Sequence, residues 1–514
     1  MPLPAAPLRT ILLTAAVAAL IWLNLCLPGQ LSTNDHPVLP IHFSGSRPSD
    51  PPEPHGLSLP GDYNAPNTDP EWCESKYSTR YLTNLRDGRQ SYCNPSVSDS
   101  SLNCFNTKIT DERTDTFCIA KGVSMLHSHQ STTFRLNCTT WKSPGTDGSM
   151  ALAPLKTESF PKYLYNTGPY HIWSDYFSTV PGLPSQPFCS ERQGTPKYTI
   201  LVKRDGDGNM WHSLLEIFSL YLTLDTLRIT PQDPSSHTPE PFLSAADMSS
   251  AQIVILDDYP DGPFFDLWKA IAPLPVVRLK DIPSYGTAAA CLDNVIIPLA
   301  GGSNPLWRGD WHTGSCTHSQ LIDTFTRRVL SHYGHAANTS STSLLPPSSS
   351  PPRPKDDTDT TPDLTLTFID RRSSRALVNT EQHLANLRLH FPRVRVQAID
   401  FAVLPFSEQI RIVQTTDVLV GVHGAGLTHA LFLPPGASVV EIQPRRLNYK
   451  GFRNLAKMRG HRYFSAHAAA NDSAPDWHDL DVSVGEGEFL ELVGAGIRAA
   501  LHRGGREEDV VVVG

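Results

Sequence analysis

Apolar and polar positions follow two alternating periods in the last third of the chain. Short runs rich in Val, Ile, Leu and Phe predict buried strands, and stretches with apolar residues three or four apart predict helices. Predicted strands span 364–370, 394–401, 417–422 and 438–443, and predicted helices span 379–391, 407–416 and 427–433. Asn379, with Gln382 three residues on, is close to a capping box, and Ser407 is the expected cap of the second helix. This order predicts a parallel sheet whose ligands bind at the carboxyl ends of its strands.

A second α/β pattern precedes this one. Its predicted strands span 198–202, 251–258 and 275–279, and its predicted helices span 210–227 and 264–271. A final helix at 488–503 has the apolar spacing of a helix that packs on one of the lobes. A chain of 514 residues is long enough for two large cores. The pattern therefore predicts an α/β protein with two lobes.

The N-terminus contains an apolar segment, 11–27, without a charged residue, preceded by a tail in which Arg9 is the only charged side chain. Its length is at the short end of what spans a bilayer. We expect an uncleaved signal anchor at 10–27 behind a cytoplasmic tail at 1–9, because no clear cleavage site follows. A cleaved signal peptide is the alternative. Both place the rest of the chain in the secretory lumen.

Composition divides the remainder of the chain. Residues 28–70 are rich in Pro, Ser, Gly and Asp, which predicts a disordered stem, and 338–363 has the same character, which predicts a linker or insertion. Between them we expect a cysteine-rich cap at 71–197 and an N-terminal lobe at 198–337. A C-terminal lobe at 364–465 and an extension with a closing helix at 466–514 complete the predicted organisation.

Charge and cysteine usage limit the possible functions. The formal net charge of -8, with 18% charged residues, argues against a nucleic-acid partner. Eight cysteines lie outside the apolar segment, without paired CxxC spacing, so we expect disulfides of open connectivity rather than zinc. Glycosylation sequons at Asn137, Asn338 and Asn471 agree with a luminal location.

The sequence VGVHGAGLTHALFL places one histidine and two glycines between a predicted strand and a predicted helix. His423 ends the strand, and Gly424, Ala425 and Gly426 form the turn. Backbone N–H groups and the positive end of a helix dipole at such a turn favour an anion. A glycine turn that serves only close packing is the alternative interpretation.

Three arginines follow the first strand of the same predicted lobe, in the sequence DRRSSR. Arg371, Arg372 and Arg375 would lie at the same edge of the sheet as the glycine turn. Guanidinium groups bind diphosphates through forked hydrogen bonds. A solvated basic turn is the alternative. Glu441, near the end of the next strand, is a candidate acceptor for ribose hydroxyls or an exposed strand-end charge.

These stretches, together with GNMWHSLLEIFSLYLTLD in the N-terminal lobe, resemble glycosyltransferase family 61, whose members include protein O-linked N-acetylglucosamine transferases, some specific for EGF domains, and plant xylosyl- and arabinosyltransferases. The resemblance implies a GT-B fold of two Rossmann-like lobes facing across a cleft, and inversion at the anomeric carbon. It also implies a UDP-sugar donor without an obligatory cofactor or metal. On that basis Arg371, Arg375 and the turn from His423 to Gly426, extended by Leu427 and Thr428, hold the donor.

The resemblance leaves the acceptor to the N-terminal lobe, where a base must take a proton from the acceptor hydroxyl. His212 and Glu216, four apart on one helix face, are candidates, and Asp207 and Asp205 come next. A histidine with only a helix-capping role is the alternative for His212. The sequence DGDGN lacks the glycine of a calcium loop, and the manganese-binding aspartate pair of GT-A enzymes is a rival interpretation of Asp205 and Asp207.

The leading hypothesis is a membrane-anchored, single-pass type II enzyme of the endoplasmic reticulum or Golgi. It would transfer a sugar, first of all N-acetylglucosamine, from UDP to Ser or Thr of a secreted protein. The sequence ends in VVVVG rather than a KDEL-type signal, which leaves Golgi residence open. A xylosyltransferase acting on glycans and a non-catalytic nucleotide- or glycan-binding protein of the same fold are the alternatives.

Overall fold

A computed structural model of the protein describes residues 57–64, 69–93, 98–110, 113–128, 130–139, 160–162, 165–180, 196–283, 289–335, 363–372, 374–469, 481–502 and 512–513. All of them belong to the unit His55–Gly514, and the other unit, Met1–Pro54, lies outside the described residues. The predicted anchor at 10–27 and nearly all of the predicted linker at 338–363 also lie outside them, so both stay predictions. Within the described ranges, no helix combines the length and the apolar character needed to cross a bilayer.

The N-terminal sheet combines antiparallel and parallel strands. In chain order these are β1 (Arg89–Ser91), β2 (Ser101–Thr110), β3 (Arg113–His127), β4 (Thr132–Leu136), β5 (Phe177–Thr179), β6 (Tyr198–Val202), β7 (Ala251–Ile255), β8 (Val277–Arg278) and β9 (Ala290–Ile297). The order across the sheet is β1-β2-β3-β9-β6-β7-β8, with β4 paired to β3 and β5 to β4. β9, β6, β7 and β8 run parallel, whereas β3 is antiparallel to β9. The region predicted as a separate cap therefore extends the sheet of the predicted N-terminal lobe.

The helices around this sheet are α1 (Glu71–Tyr77), α2 (Arg80–Asp87), α3 (Gly168–Tyr176), α4 (Met210–Arg228), α5 (Asp266–Ile271), α6 (Pro305–Arg308) and α7 (Gln320–His332). Asn209 caps α4 by accepting a hydrogen bond from the backbone N–H of Trp211. Nearly every residue of α4 is buried, because the helix packs in the middle of the main hydrophobic core. The most apolar predicted helix is thus the central helix of this region.

Disulfides connect segments of the N-terminal region that are distant in sequence. They join Cys73 to Cys316, Cys93 to Cys138, and Cys104 to Cys118. Cys291 is disulfide-bonded as well. The expectation of disulfides is confirmed, and they suit an oxidising compartment.

Residues 57–64 lie within the predicted disordered stem, yet they pack on the folded protein. Leu59 and Tyr63 contact the main hydrophobic core. Arg328 on α7 donates to both carboxylate oxygens of Asp62, at 2.6 and 3.0 Å. Arg328 also donates to the buried carboxylate of Asp225 at 2.6 Å. This part of the stem prediction is wrong, because a bidentate ion pair and two apolar side chains order a segment whose composition is that of a linker.

The C-terminal sheet contains parallel strands alone, as predicted. Its strands are β10 (Leu364–Ile369), β11 (Val394–Ile399), β12 (Val418–Val422), β13 (Ser438–Gln443), β14 (Arg462–His467) and β15 (Val512–Val513), in the order β11-β10-β12-β13-β14-β15. The helices here are α8 (Thr380–His390), α9 (Phe406–Val413), α10 (Gly451–Met458) and α11 (Glu486–Leu501). The closing helix, α11, packs on one face of the sheet at β12, β13 and β14. There Gly496 lies so close to Val440 that a Cβ would be 2.7 Å from a valine methyl.

Of the two predicted helix caps of this region, Asn379 occupies the predicted cap position without the expected side-chain hydrogen bond, and Ser407 does not occupy it. Asn379 has a left-handed backbone, with φ of 58°, and its side chain makes no capping hydrogen bond to α8. The helix predicted to begin at Ser407 begins at Phe406, and Pro405 occupies the cap position. The carbonyl of Pro405 accepts from the backbone N–H groups of Glu408 and Gln409, at 3.0 and 3.1 Å, and no side chain caps this helix.

The two sheets share one hydrophobic core, to which residues of α4, α9 and α10 contribute. A loop of the N-terminal region, 309–314, docks on α10. The side-chain amide of Asn454 donates to the carbonyls of Gly309 and His312, at 3.0 and 2.7 Å, and its oxygen accepts from the N–H of Gly314 at 2.8 Å. The backbone N–H of Lys450 donates to the carbonyl of Asp310 at 2.7 Å. The position of this loop therefore depends on the C-terminal region.

The substitution Arg328→Ala tests the ordering of residues 57–64. It removes one of the two arginine partners of the Asp225 carboxylate, which is 1% exposed, and the only one of them that also binds Asp62 among the described residues, so we expect the free energy of unfolding to fall by about 2 kcal/mol. The control Arg411→Ala removes an exposed ion pair within α9 and should leave the free energy of unfolding nearly unchanged. Chemical denaturation measures both values. Equal effects of the two substitutions would contradict a structural role for the Arg328 pair.

Candidate functional site

A cavity of about 1500 Å³ opens between the two sheets, at the carboxyl ends of their parallel strands. On the N-terminal side, residues 208–212 after β6 and residues 263–264 after β7 line the cavity. On the C-terminal side, its lining residues follow β10, β11 and β12. Strand ends of parallel sheets are where ligands of α/β proteins bind. The cavity is thus the candidate active site.

Arg371, Arg375 and Gly424 come together on the C-terminal side of the cavity. A Cβ built on Gly424 would lie 2.4 Å from Nη1 of Arg371 and 3.5 Å from Nη2 of Arg375. Both guanidiniums therefore pack over the glycine of the turn, where a larger residue would displace them. We call these three residues the arginine–glycine cluster. The predicted juxtaposition of the arginine segment and the glycine turn is present.

Arg371 makes hydrogen bonds to neutral groups, and no carboxylate in the described part of the chain pairs with its charge. Its Nε donates to the carbonyl of Ser374 at 3.0 Å, and Nη2 donates to the hydroxyl of Ser374 at 3.3 Å. Burial lowers the pKa of the guanidinium, which nevertheless stays charged at neutral pH. A half-buried cation held by neutral groups favours an anionic ligand.

Arg372 and Arg375, the other two arginines that follow β10, differ from each other in their contacts and in their backbone. Arg372 is exposed and pairs with Asp370 at 2.9 Å, so its charge is already balanced. Arg375 has a left-handed backbone, with φ of 54°, which is uncommon for a residue with a side chain. This conformation belongs to the turn that brings the Arg375 side chain to Gly424.

His423 is held from beneath the cavity by Glu441. Its Nδ1 donates to the Glu441 carboxylate at 2.5 Å, and the hydroxyl of Tyr463 donates to the other carboxylate oxygen. Glu441 is 0% exposed and lies inside β13, not at a strand end facing the cavity. The prediction that Glu441 accepts ribose hydroxyls is therefore wrong, because its oxygens are engaged beneath the surface.

Only part of the predicted turn lines the cavity. His423, Gly424, Ala425 and Gly426 form the wall. Leu427 and Thr428 are fully buried in the 3-10 helix Ala425–Phe432 that follows. These two residues support the turn from behind and do not face a ligand.

Of the four predicted base candidates, Asp205 is the hydrogen-bond partner of His212, and the other three occupy different environments. His212 lines the cavity, and its Nδ1 donates to the carboxylate of Asp205 at 2.7 Å. This hydrogen bond fixes the tautomer of the ring, so that Nε2 is the nitrogen that could contact a ligand. Glu216 is buried against Gly301 and accepts from the backbone N–H of Asp205, and burial raises its pKa well above the usual range. Asp207 does not line the cavity. The structure therefore places His212 at the site and moves Glu216 and Asp207 away from it.

Asp310 is a residue of the site that the sequence patterns did not identify. It lines the cavity, is 6% exposed, and receives a hydrogen bond from the hydroxyl of Tyr449. Burial raises the pKa of its carboxyl to about 7, although Tyr449, Arg113 and His212 act in the opposite direction. The flanking tryptophans, Trp307 and Trp311, were the available sequence signal for a carboxyl in an apolar setting.

The aspartates of the DGDGN segment do not meet at a metal site. Asp205 is bound to His212, and Asp207 lies elsewhere. Across the described ranges, no group of three or more His, Cys, Asp or Glu side chains has an arrangement that could hold a metal ion. A donor without an obligatory metal remains a prediction.

Residues 210–440 match the model of the protein family described as Glycosyltransferase 61. Proteins named EGF domain-specific O-linked N-acetylglucosamine transferase are similar to the chain. The one from Drosophila melanogaster is 30% identical over 284 residues, which is 54% of this chain and 46% of the relative. Those from Canis lupus familiaris and Rattus norvegicus are each 27% identical over 279 residues, 52% of this chain and 45% of the relative.

The resemblance to glycosyltransferase family 61 is thus confirmed over the matched residues. The chain spans about half the length of the curated relatives it matches. The matched range contains His212, Asp310, Arg371 and the turn at Gly424, so each wall of the cavity has residues within it, although Tyr165 and Tyr449 lie outside it.

The buried carboxyl of Asp310 predicts a pH-dependent stability. Between pH 4 and 7 the folded protein keeps a proton that the unfolded chain has released, so this group makes unfolding easier as the pH rises. The substitution Asp310→Asn removes that titration. Relative to wild type, the variant should gain up to about 4 kcal/mol in unfolding free energy between pH 4 and 8.

Denaturant titrations across this pH range measure the effect, and Asp258→Asn, at an exposed position, is the matched control. Parallel curves for wild type and Asp310→Asn would show that the carboxyl does not titrate as its burial requires.

Proposed function

We propose that this chain, whose residues 210–440 match the Glycosyltransferase 61 family, is an inverting glycosyltransferase with a UDP-sugar donor. The sugar is N-acetylglucosamine in the first instance, and the acceptor is a Ser or Thr hydroxyl of a secretory-pathway protein. The names of the relatives support this choice of sugar and make an EGF-like domain the first acceptor to test. The observation that carries the proposal is the arginine–glycine cluster in the cavity wall.

A GT-B arrangement is part of the proposal. Two sheets with parallel strands present their carboxyl ends to one cavity, and the anion-binding features lie on the C-terminal side. The donor nucleotide then binds the C-terminal region, and the acceptor approaches from the N-terminal region. A cavity of about 1500 Å³ has room for a nucleotide sugar and the acceptor residue together.

Diphosphate recognition follows from the cluster's charge and its backbone. Arg371 and Arg375 supply forked cationic donors, and the glycines of the turn let phosphate oxygens approach the backbone N–H groups. As the bond to the sugar breaks, negative charge grows on the leaving diphosphate. Fixed positive groups stabilise that charge more than they stabilise the bound ground state, which lowers the barrier without a metal.

The aromatic side chains on the opposite side suit a sugar and its acceptor. Trp307 and Tyr165 contact the ring of His212, with ring centroids 4.5 and 4.8 Å away. Trp311, 56% exposed, packs edge-on against Tyr449 at the cavity. Apolar rings with a few polar groups among them are typical of ligand pockets that exclude water. Here they shield the donor sugar from hydrolysis.

A luminal location is proposed together with the activity. The disulfides among the described residues favour an oxidising compartment. A single-pass type II anchor at 10–27 in the endoplasmic reticulum or Golgi membrane fits this location.

The function is tested by incubating purified protein with a panel of UDP-sugars, with and without an EGF-like domain, and measuring UDP release and glycosylated product. We expect transfer from one UDP-sugar, UDP-N-acetylglucosamine first, that EDTA does not abolish. Loss of transfer in EDTA would favour a manganese enzyme, and transfer from UDP-xylose alone would favour the xylosyltransferase alternative. UDP binding without transfer from any donor would contradict the proposed activity and favour a non-catalytic binding protein.

The arginine–glycine cluster predicts the effect of two substitutions on UDP binding. Arg371→Ala removes a charge-assisted hydrogen bond and should weaken binding by about 1.5–3 kcal/mol. Gly424→Ala keeps the charge but puts a methyl group where Nη1 of Arg371 lies, so it should weaken binding in the same direction. Titration calorimetry with UDP measures both. The control Arg411→Ala, on the exposed face of α9, should bind UDP like wild type; unchanged affinity in Arg371→Ala would remove that residue from the site.

A further inference from the structure

The carboxyl of Asp310 is a buried acid in the wall of a cavity. Its residue is 6% exposed, and no described lysine or arginine lies within ion-pair distance of it. A buried carboxylate without a paired cation is costly, so a purely structural role is a poor explanation. The hydroxyl of Tyr449 donates a hydrogen bond to this carboxyl.

Asp310 belongs to the N-terminal region but is positioned by the C-terminal one. Its carbonyl accepts from the backbone N–H of Lys450, and Asn454 holds the residues on both sides of it. The ring of Tyr449, its hydrogen-bond donor, lies 5.0 Å from the ring of His423, centroid to centroid. One tyrosine therefore separates the Asp310 carboxyl from the turn that is proposed to hold the donor diphosphate.

Several ionisable groups face this carboxyl. They are Tyr77 on α1, Arg113 at the start of β3, Tyr165, His212 on α4, and Tyr449 before α10. Burial raises the pKa of Asp310 to about 7, even though Tyr449, Arg113 and His212 favour the charged carboxylate. A base is most effective when its pKa lies near the working pH. Asp310 meets this condition.

We propose that Asp310 is the general base that takes the proton from the acceptor hydroxyl. The assignment rests on the proposed function and names the residue that performs its proton transfer. The acceptor oxygen forms a bond to C1 of the donor sugar as the bond from C1 to the β-phosphate oxygen breaks. The bonding electrons leave with UDP, and the hydroxyl proton moves to the Asp310 carboxylate. One displacement of this kind inverts C1.

His212 then acts as a positioning residue. Its Nδ1 is engaged by Asp205, and its ring is enclosed by Tyr165 and Trp307. These contacts fix the ring on the acceptor side, where Nε2 can hold the acceptor in place. A base and a positioning residue affect the pH dependence of kcat/KM differently. The rate falls at low pH because the base becomes protonated, and only removal of the base abolishes this acidic limb.

The test is the pH dependence of kcat/KM for sugar transfer in wild type, Asp310→Asn, Tyr449→Phe and His212→Gln. Wild type should show a rate that rises with pH and levels off, with a midpoint near pH 7. Asp310→Asn should lose about 10²–10⁴-fold in kcat/KM and lose the limb, with UDP affinity unchanged. Tyr449→Phe removes a hydrogen bond that favours the charged carboxylate, so the midpoint should move to higher pH. His212→Gln should keep the limb at a reduced rate.

Asp258→Asn, at an exposed position outside the cavity, is the matched aspartate control and should behave like wild type. Transfer by Asp310→Asn within about twofold of wild type would overturn the assignment. So would a limb that disappears in His212→Gln and persists in Asp310→Asn, or a midpoint that is unchanged in Tyr449→Phe. A wild-type protein that neither binds UDP nor transfers any sugar would instead overturn the proposed function itself.

Discussion

The meeting of two neighbouring parallel strands at one edge of the C-terminal sheet is the constraint on which the candidate site depends. β10 and β12 are hydrogen-bonded neighbours, with Ile369 opposite Gly421, although about fifty residues separate them in sequence. Because the two strands end at the same level, the segment after β10 brings Arg371 and Arg375 onto the turn after β12. Gly424 leaves room there for the guanidinium of Arg371, because a Cβ at this position would lie 2.4 Å from Nη1. Cationic side chains and accessible backbone thus meet at one point.

The opposite wall depends on contacts between the two regions. The 309–314 loop carries Asp310, and its backbone is held by Lys450 and Asn454 of the C-terminal region. Tyr449, the residue before Lys450, gives its hydroxyl to Asp310 and packs its ring on His423. The proposed base and the proposed diphosphate turn are therefore set by the same short segment. A shift of the two regions against each other would disturb both at once.

The elements of the fold could be predicted where the apolar pattern of a single strand or helix is enough to identify it. Buried strands such as Val418–Val422 and the helix Met210–Arg228 have apolar patterns that do not depend on distant partners, and the arginine segment and glycine turn follow such strands. Sheet membership of β2 and β3 was not predicted, because their sequence is irregular and the strand that joins them to the rest of the sheet, β9, lies more than 160 residues after β3. Residues 57–64 were misjudged for the same reason, since their order comes from Arg328 on a helix more than 250 residues away.

Site residues were misjudged where burial decides the role. Glu441 was expected at a strand end, but β13 continues to Gln443, so the carboxylate lies inside and orients His423. Glu216 shares a helix with His212, yet it packs against Gly301 rather than the cavity. Asp310 belongs to no recognisable motif, and its pKa is raised by burial, which depends on how the 309–314 loop packs against the C-terminal region.

A crystal structure of the protein with UDP bound would show where the diphosphate lies. We expect its oxygens within hydrogen-bond distance of the Arg371 guanidinium and of the backbone N–H groups of the His423–Gly426 turn. A diphosphate bound elsewhere, with the arginine–glycine cluster left in contact only with solvent, would contradict this expectation.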